Sequence, residues 1–174
     1  LRMGIYSLED FIADWNKVLM EYSGSPVRLA TNQEIVRQEY SGGNDIHNLP
    51  YNRGSIMAAR WDRELKKKSH GKRGLDQVMR AMPGEAAKLG DKSPVSPDLF
   101  VETIGRMGLD IRAEVENVIE QGKPALLPKD AFGACIAVVT KSVPTYDHGF
   151  DLMATVRNGL VVTGLEPGGP AERA

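Results

Sequence analysis

Apolar residues recur every three or four positions through the first part of the chain, which is the spacing of one face of an α-helix. The clearest example begins at Ser7-Leu8-Glu9-Asp10, a run typical of a helix cap. Its apolar positions are Leu8, Phe11, Ile12, Trp15, Val18, Leu19 and Tyr22. The pattern predicts a long amphipathic helix that ends at Ser23-Gly24-Ser25-Pro26, because glycine and proline interrupt helices.

Five further helices are predicted from the same spacing together with cap and stop residues. They run about Asn32–Tyr40, Ser55–Lys68, Gly74–Met82, Ser96–Gly108 and Asp110–Glu120. Pro83-Gly84 is expected to stop the third of these, and the stretch from Ala86 to Pro94 to form a surface connection. Residues 1–122 are therefore predicted to form an α-helical bundle.

The pattern changes after Gly122, where prolines and glycines separate short runs rich in Val, Ile and Thr. Such runs favour β-strands. Strands are predicted at 134–140, 150–157 and 159–165, the last two joined by a hairpin at Asn158-Gly159. The predicted fold class is mainly α, with a helical bundle at 1–122 followed by a β-rich part at 123–174.

Composition and charge exclude several classes of partner. The 174 residues are 41% hydrophobic and 26% charged, and the net charge is −1. No field of one sign is available to attract nucleic acid, and the basic run Lys66–Arg73 is interpreted as a solvated helix end. No apolar run approaches the ~18 residues of a membrane span. The single cysteine, Cys135, lies in an apolar run and is predicted to be a buried structural thiol.

The strongest functional signal is the run from Asn48 to Gly54, which contains Pro50 and Tyr51. Tyr51 is predicted in the first turn of a helix behind a proline, from which a phenol could donate to a developing oxyanion. His47 and Arg53 are weaker candidates for substrate binding, and the plainer interpretations are a loop histidine and a surface ion pair. The three histidines are too scattered to form an HExxH zinc motif.

Several segments in order resemble one known family. They are Ser7–Asp10, Tyr51–Gly54, Leu75–Ala81, Gly108–Asp110, Val143–Asp151 and Val161–Ala174. Together they are similar to the glycyl-aminopeptidase family of zinc metallopeptidases, in which a thermolysin-like gluzincin domain precedes a PDZ domain. The resemblance implies that this chain is a C-terminal portion: the helical half of the catalytic domain and the opening of a PDZ domain.

That resemblance carries a set of functional expectations. Zinc would be held by an HExxH helix and a distant glutamate before Leu1, so zinc is expected in a longer protein and none on this chain, which would be inactive alone. Tyr51 would hydrogen-bond the oxyanion while the enzyme removes an N-terminal residue from a peptide substrate. The incomplete PDZ-like part would expose sheet edges and favour self-association. The resemblance leaves the compartment undetermined.

The competing interpretation is a non-enzymatic helical interaction module, in which the apolar stripes form only a core and the tail is a docking strand. The geometry around Tyr51 distinguishes the two. An enzyme needs the hydroxyl at an open cleft wall, whereas a hydroxyl enclosed by apolar side chains would end the catalytic interpretation.

Overall fold

The computed structural model describes residues 6–38, 43–89, 96–142 and 148–173. Within these ranges every regular element is helical and no strand is formed. The elements are α1 (Leu8–Gly24), α2 (Asn32–Gln38), α3 (Asn44–Lys68), α4 (Leu75–Lys88), α5 (Pro97–Arg106), α6 (Arg112–Glu114, continued by a π-helix at Val115–Glu120) and α7 (Leu152–Arg157). None of these helices combines the length and hydropathy needed to cross a bilayer.

Helix α3 is the centre of the bundle, because α1, α2 and α4 all pack against it and α5 packs on α4. The buried apolar side chains come mainly from its inner face and from the helices around it: Tyr22, Ile35, Ile46, Leu49, Ile56, Met57, Trp61, Leu65, Val78, Ile104, Leu109 and Ile111. Ile56, Met57, Trp61 and Leu65 therefore form the core side of α3.

The predicted helix starts are supported by specific hydrogen bonds. The Ser7 hydroxyl accepts from the Asp10 amide at 3.0 Å, and the Ser7 amide donates to the Asp10 carboxylate at 3.3 Å, which completes a capping box. The Ser96 hydroxyl accepts from the Leu99 amide at 3.2 Å, with Pro97 in the first turn. These side chains satisfy amide groups that a helix start leaves unpaired.

Helix α3 begins one and a half turns before Pro50, which corrects the predicted entry at Pro50-Tyr51. Gly43 is its N-cap and Pro50 lies inside the helix. Proline removes one amide donor from the ladder, but Leu49 before it and Ile56 after it are buried in the core. Packing of this face outweighs the lost bond, so Tyr51 sits well inside the helix.

Helix α4 also continues through a proline that was expected to stop it. It runs to Lys88 across Pro83-Gly84, so the surface connection predicted from Ala86 is wrong for residues 86–88. Helix α5 supports this last part, because Glu85 forms an ion pair with Arg106. The packing of α5 on α4 compensates for the missing amide donor, and the surface ion pair adds little.

The strands predicted after residue 123 are not formed in the described residues, and no PDZ-like sheet is seen. Residues 152–157 are helical because the Asp151 carboxylate caps α7, accepting from the Ala154 amide at 2.8 Å. Asn158 ends that helix and Gly159 follows with φ +66°. The Asn-Gly pair thus serves as a helix end, a role that glycine fills as readily as a hairpin turn. Self-association through sheet edges loses its basis in these residues.

The stretch 123–139 is irregular and lies along the bundle. The Ala125 amide donates to the Tyr22 hydroxyl at 2.7 Å, and the Phe132 ring meets those of Phe11 and Trp15 with centroids 5.3 and 4.6 Å apart. Cys135 is exposed, which corrects its predicted burial. Without a strand to bury alternate side chains, this thiol faces outward.

Some predictions fall outside the described residues. They concern the end of the second helix at Tyr40, the connection at 90–94, the Val143–Asp147 part of the family resemblance, and Leu1 and Ala174.

Candidate functional site

Tyr51 lies on the outer face of α3 with 76% of its surface exposed. Its hydroxyl makes no hydrogen bond to another described residue, so the phenol is free to donate. The enclosed arrangement that would have ended the catalytic interpretation is therefore not observed. Tyr51 therefore occupies an open position. It lies within helix α3 and not at the start of a helix.

The helix that carries Tyr51 is fixed by the residues beside it. Leu49 is 1% exposed and Asn52 and Arg53 are buried as well. The Asn52 side chain donates to the Glu21 carboxylate on α1 at 3.2 Å. These contacts hold the inner face of α3, and a phenol on the opposite face is consequently presented from a rigid element.

Arg53 is buried, with only 2% of its surface exposed, so the surface ion pair considered for it is wrong. Its Nη2 donates to the carbonyls of Arg28 and Ala30 at 3.0 and 2.7 Å. Nε and Nη1 have no hydrogen-bond partner among the described residues. The guanidinium therefore ties the loop between α1 and α2 to α3.

Burial lowers the pKa of the Arg53 guanidinium, and the nearby Tyr22 phenol opposes that shift. Arginine nevertheless stays protonated in proteins. No carboxylate compensates the charge in the described residues, so backbone carbonyl dipoles carry that role. Arg53 points inward while Tyr51 points outward, and the structure does not bring the two side chains together. Substrate binding by Arg53 stays a prediction.

His47 precedes Tyr51 by four positions on α3, and both side chains are exposed. Residues at this spacing are neighbours on one helix face. His47 is therefore a helical residue and not the loop residue expected from the sequence. It lies beside Tyr51 on the same outer surface, and its part in substrate binding stays a prediction.

A groove of about 850 Å³ begins one turn beyond Tyr51 on the same face of α3. Its floor is formed by Ser55, Ala58 and Ala59, small side chains that leave space above the helix. Phe11 and Trp15 of α1 form one wall, and the irregular stretch with Phe132 and Ile136 closes another. We call this space the α1–α3 groove.

The α1–α3 groove was not predicted from the sequence. A signal was present, because Ser55 and Ala58 follow Tyr51 at helical spacings of four and seven residues. The other wall could not be found from the sequence, because Phe132 and Ile136 were assigned to the neighbourhood of a predicted strand.

The described residues contain no group of three or more His, Cys, Asp or Glu side chains able to hold an ion. The side chains in this part of the chain therefore do not fit a zinc centre.

No protein-family model matches the sequence, and no curated protein matches it significantly. The functional conclusion consequently depends on the exposed phenol of Tyr51, on the groove beside it and on the resemblance carried by the sequence segments.

Proposed function

We propose that this chain is the helical part of the thermolysin-like catalytic domain of a zinc-dependent aminopeptidase, in which Tyr51 supports cleavage of the first peptide bond of a substrate. The observation that carries the proposal is the exposed phenol, without a hydrogen bond to any other described residue, on a helix whose other face is buried. A hydrogen-bond donor held rigidly at an open wall is what an oxyanion requires.

The proposal assigns only the residues of this chain. Because its described side chains do not fit a zinc site, the zinc ligands would belong to another part of a longer protein. The chemistry left to Tyr51 is donation of its O–H to the oxygen that gains charge at the scissile carbonyl. Phenylalanine keeps the ring and removes that donor.

The test is Tyr51→Phe in the protein expressed from its complete reading frame, with aminoacyl p-nitroanilides as substrates. Removal of one oxyanion donor is expected to lower kcat by about 10²–10³-fold. KM should stay within about twofold, because the donor acts on charge that develops after binding.

Tyr6→Phe is the matched control, since Tyr6 is another exposed tyrosine, at 41%. It should leave kcat unchanged. If Tyr51→Phe keeps the full kcat, or if the complete protein hydrolyses none of these substrates with zinc present, the peptidase proposal is wrong.

The second candidate function is a helical interaction module. The apolar walls of the α1–α3 groove favour it, because such surfaces also receive partner helices. A complete reading frame that lacks an HExxH segment, together with no peptidase activity, would select this function over the first.

A further inference from the structure

We propose that the α1–α3 groove binds the large apolar side chains of a peptide whose backbone runs along α3 past Tyr51. This inference rests on the proposed peptidase function for the direction and role of the peptide. It adds a substrate class: peptides with bulky apolar residues beside the bond to be cleaved.

The charged groups around the groove are already paired. The Asp62 carboxylate accepts from the Leu75 amide at 2.9 Å and forms an ion pair with Lys66. Arg63 forms an ion pair with Asp130 and donates from Nε to its carbonyl at 3.0 Å. What the groove offers to a ligand is consequently apolar surface, which is stabilised by contact with apolar side chains.

Ser55 adds a polar group at the end of the groove nearest Tyr51. A serine inside a helix commonly donates to the carbonyl four residues earlier, as Ser69 does to Leu65 at 2.7 Å. Ser55 is half-buried and makes no such bond in the described residues. Two free hydroxyls, those of Ser55 and Tyr51, therefore lie one turn apart on one helix face and can bond a peptide backbone.

The size of the groove indicates a short ligand segment. Its volume of about 850 Å³ falls within the range of about 300–1,000 Å³ typical of ligand pockets. An extended peptide places alternate side chains about 7 Å apart on one face, and the groove has room for more than one large apolar side chain. The small side chains of Ala58 and Ala59 let them approach the helix closely.

Isothermal titration calorimetry of this chain with two uncharged-side-chain tetrapeptides, Ala-Leu-Phe-Ala and Ala-Ser-Asn-Ala, tests the inference. The apolar peptide should bind at least about tenfold more tightly, because it buries more apolar area. Ala58→Trp, which fills the groove, should weaken binding of Ala-Leu-Phe-Ala by at least about tenfold. Ser55→Ala should weaken it by about two- to tenfold through loss of one hydrogen bond.

Ala87→Trp is the matched control, since Ala87 is an exposed helical alanine outside the groove. The affinity of this variant for Ala-Leu-Phe-Ala should stay within about twofold of that of the unsubstituted chain. If Ala58→Trp fails to fold, Ile136→Lys on the irregular wall replaces it, with Leu126→Lys, 66% exposed, as its control. Equal affinity for the two peptides, or equal loss in groove and control variants, overturns the inference.

Sedimentation at the same concentrations distinguishes peptide binding from occupation of the groove by a second copy of this chain. A dimer of this chain that Ala58→Trp abolishes would assign the groove to a second copy and overturn peptide binding. The calorimetry requires neither zinc nor turnover, so it can fail while the Tyr51→Phe result stands. Conversely, retained kcat in Tyr51→Phe with intact peptide binding would refute the peptidase and leave a peptide-binding groove.

Discussion

The helices from α1 to the π-helix and the C-terminal stretch 148–173 contain similar apolar side chains but place them very differently. Leu65 in α3 is 1% exposed, whereas Leu160 is 76% exposed and Val161 61%. In the first region each helix from α1 to α5 contributes buried side chains to a shared core. In the second the hydrogen bonds of residues 150–173 remain local, such as that from the Asp151 amide to the Thr163 carbonyl at 3.0 Å.

The difference shows that apolar residues stabilise a fold only when a partner surface is available. An amphipathic helix satisfies its own backbone and needs only packing. A strand needs a neighbouring strand for its backbone groups as well, and isolated strands or hairpins are marginal. The run Gly159–Leu165 has strand composition without such a neighbour in the described residues, so its valines stay exposed.

Removing one leucine from each region should give the largest contrast. Leu65→Ala leaves a cavity in the bundle core and should lower the free energy of unfolding by about 2–5 kcal/mol. Leu160→Ala should change it by less than about 0.5 kcal/mol, because the side chain is already in water. Urea denaturation followed by circular dichroism measures both. Similar losses in the two variants would show that the C-terminal stretch is packed.

Two glycines with nearly equal backbone angles give a second contrast. Gly122 has φ +68° and Gly159 has φ +66°, so alanine at either position costs about 1–2 kcal/mol of left-handed strain. At Gly122 a Cβ would also lie 2.1 Å from the Leu29 carbonyl oxygen, while at Gly159 it meets nothing within 4 Å. Gly122→Ala should therefore lower the free energy of unfolding by about 1–3 kcal/mol more than Gly159→Ala does. Equal losses, measured by thermal unfolding, would mean that the Leu29 loop moves aside.

The helical region was predictable because its signals are local. Capping by Ser7 and Ser96 and the buried spacing of Ile56 and Leu65 depend on residues within a few turns. Where the outcome depended on distant packing, prediction failed. Pro50 and Pro83 do not end their helices, since buried residues beside Pro50 and the packing of α5 on α4 offset one lost amide bond in each helix.

The candidate site was only partly predictable for the same reason. The sequence indicated Tyr51 as a presented phenol, and the structure leaves it exposed. Burial of Arg53 depends on carbonyls more than twenty residues away. The groove requires α1, α3 and the Phe132–Ile136 stretch together, and no periodicity in one segment can indicate such a combination.

In the stretch that links the two regions, substitution of Asp130 should change the free energy of unfolding by a smaller amount that depends on pH. A hydrogen bond from Arg63, opposed by burial, lowers the pKa of the Asp130 carboxyl below its usual value. The folded state therefore binds fewer protons than the unfolded state at this site. Its stabilisation is present above about pH 3.9 and is lost as the pH falls through the lower folded pKa. Asp130→Asn should consequently be less stable than the unsubstituted chain at neutral pH, with a difference that disappears in acid.

Urea denaturation at about pH 7, 5 and 3 measures this difference. Asp14→Asn is the control, because Asp14 is exposed on α1 and forms no ion pair with another described residue; its difference should be small throughout. The expected effect of Asp130→Asn is small because surface ion pairs contribute little. Equal stability of the two proteins at all three pH values would mean that Asp130 acts through its main-chain carbonyl, which accepts from Arg63 and remains in asparagine. Backbone contacts, and not charge, would then hold the linking stretch to the bundle. The hydrogen bond from the Ala125 amide to Tyr22 on α1 is another contact of this kind.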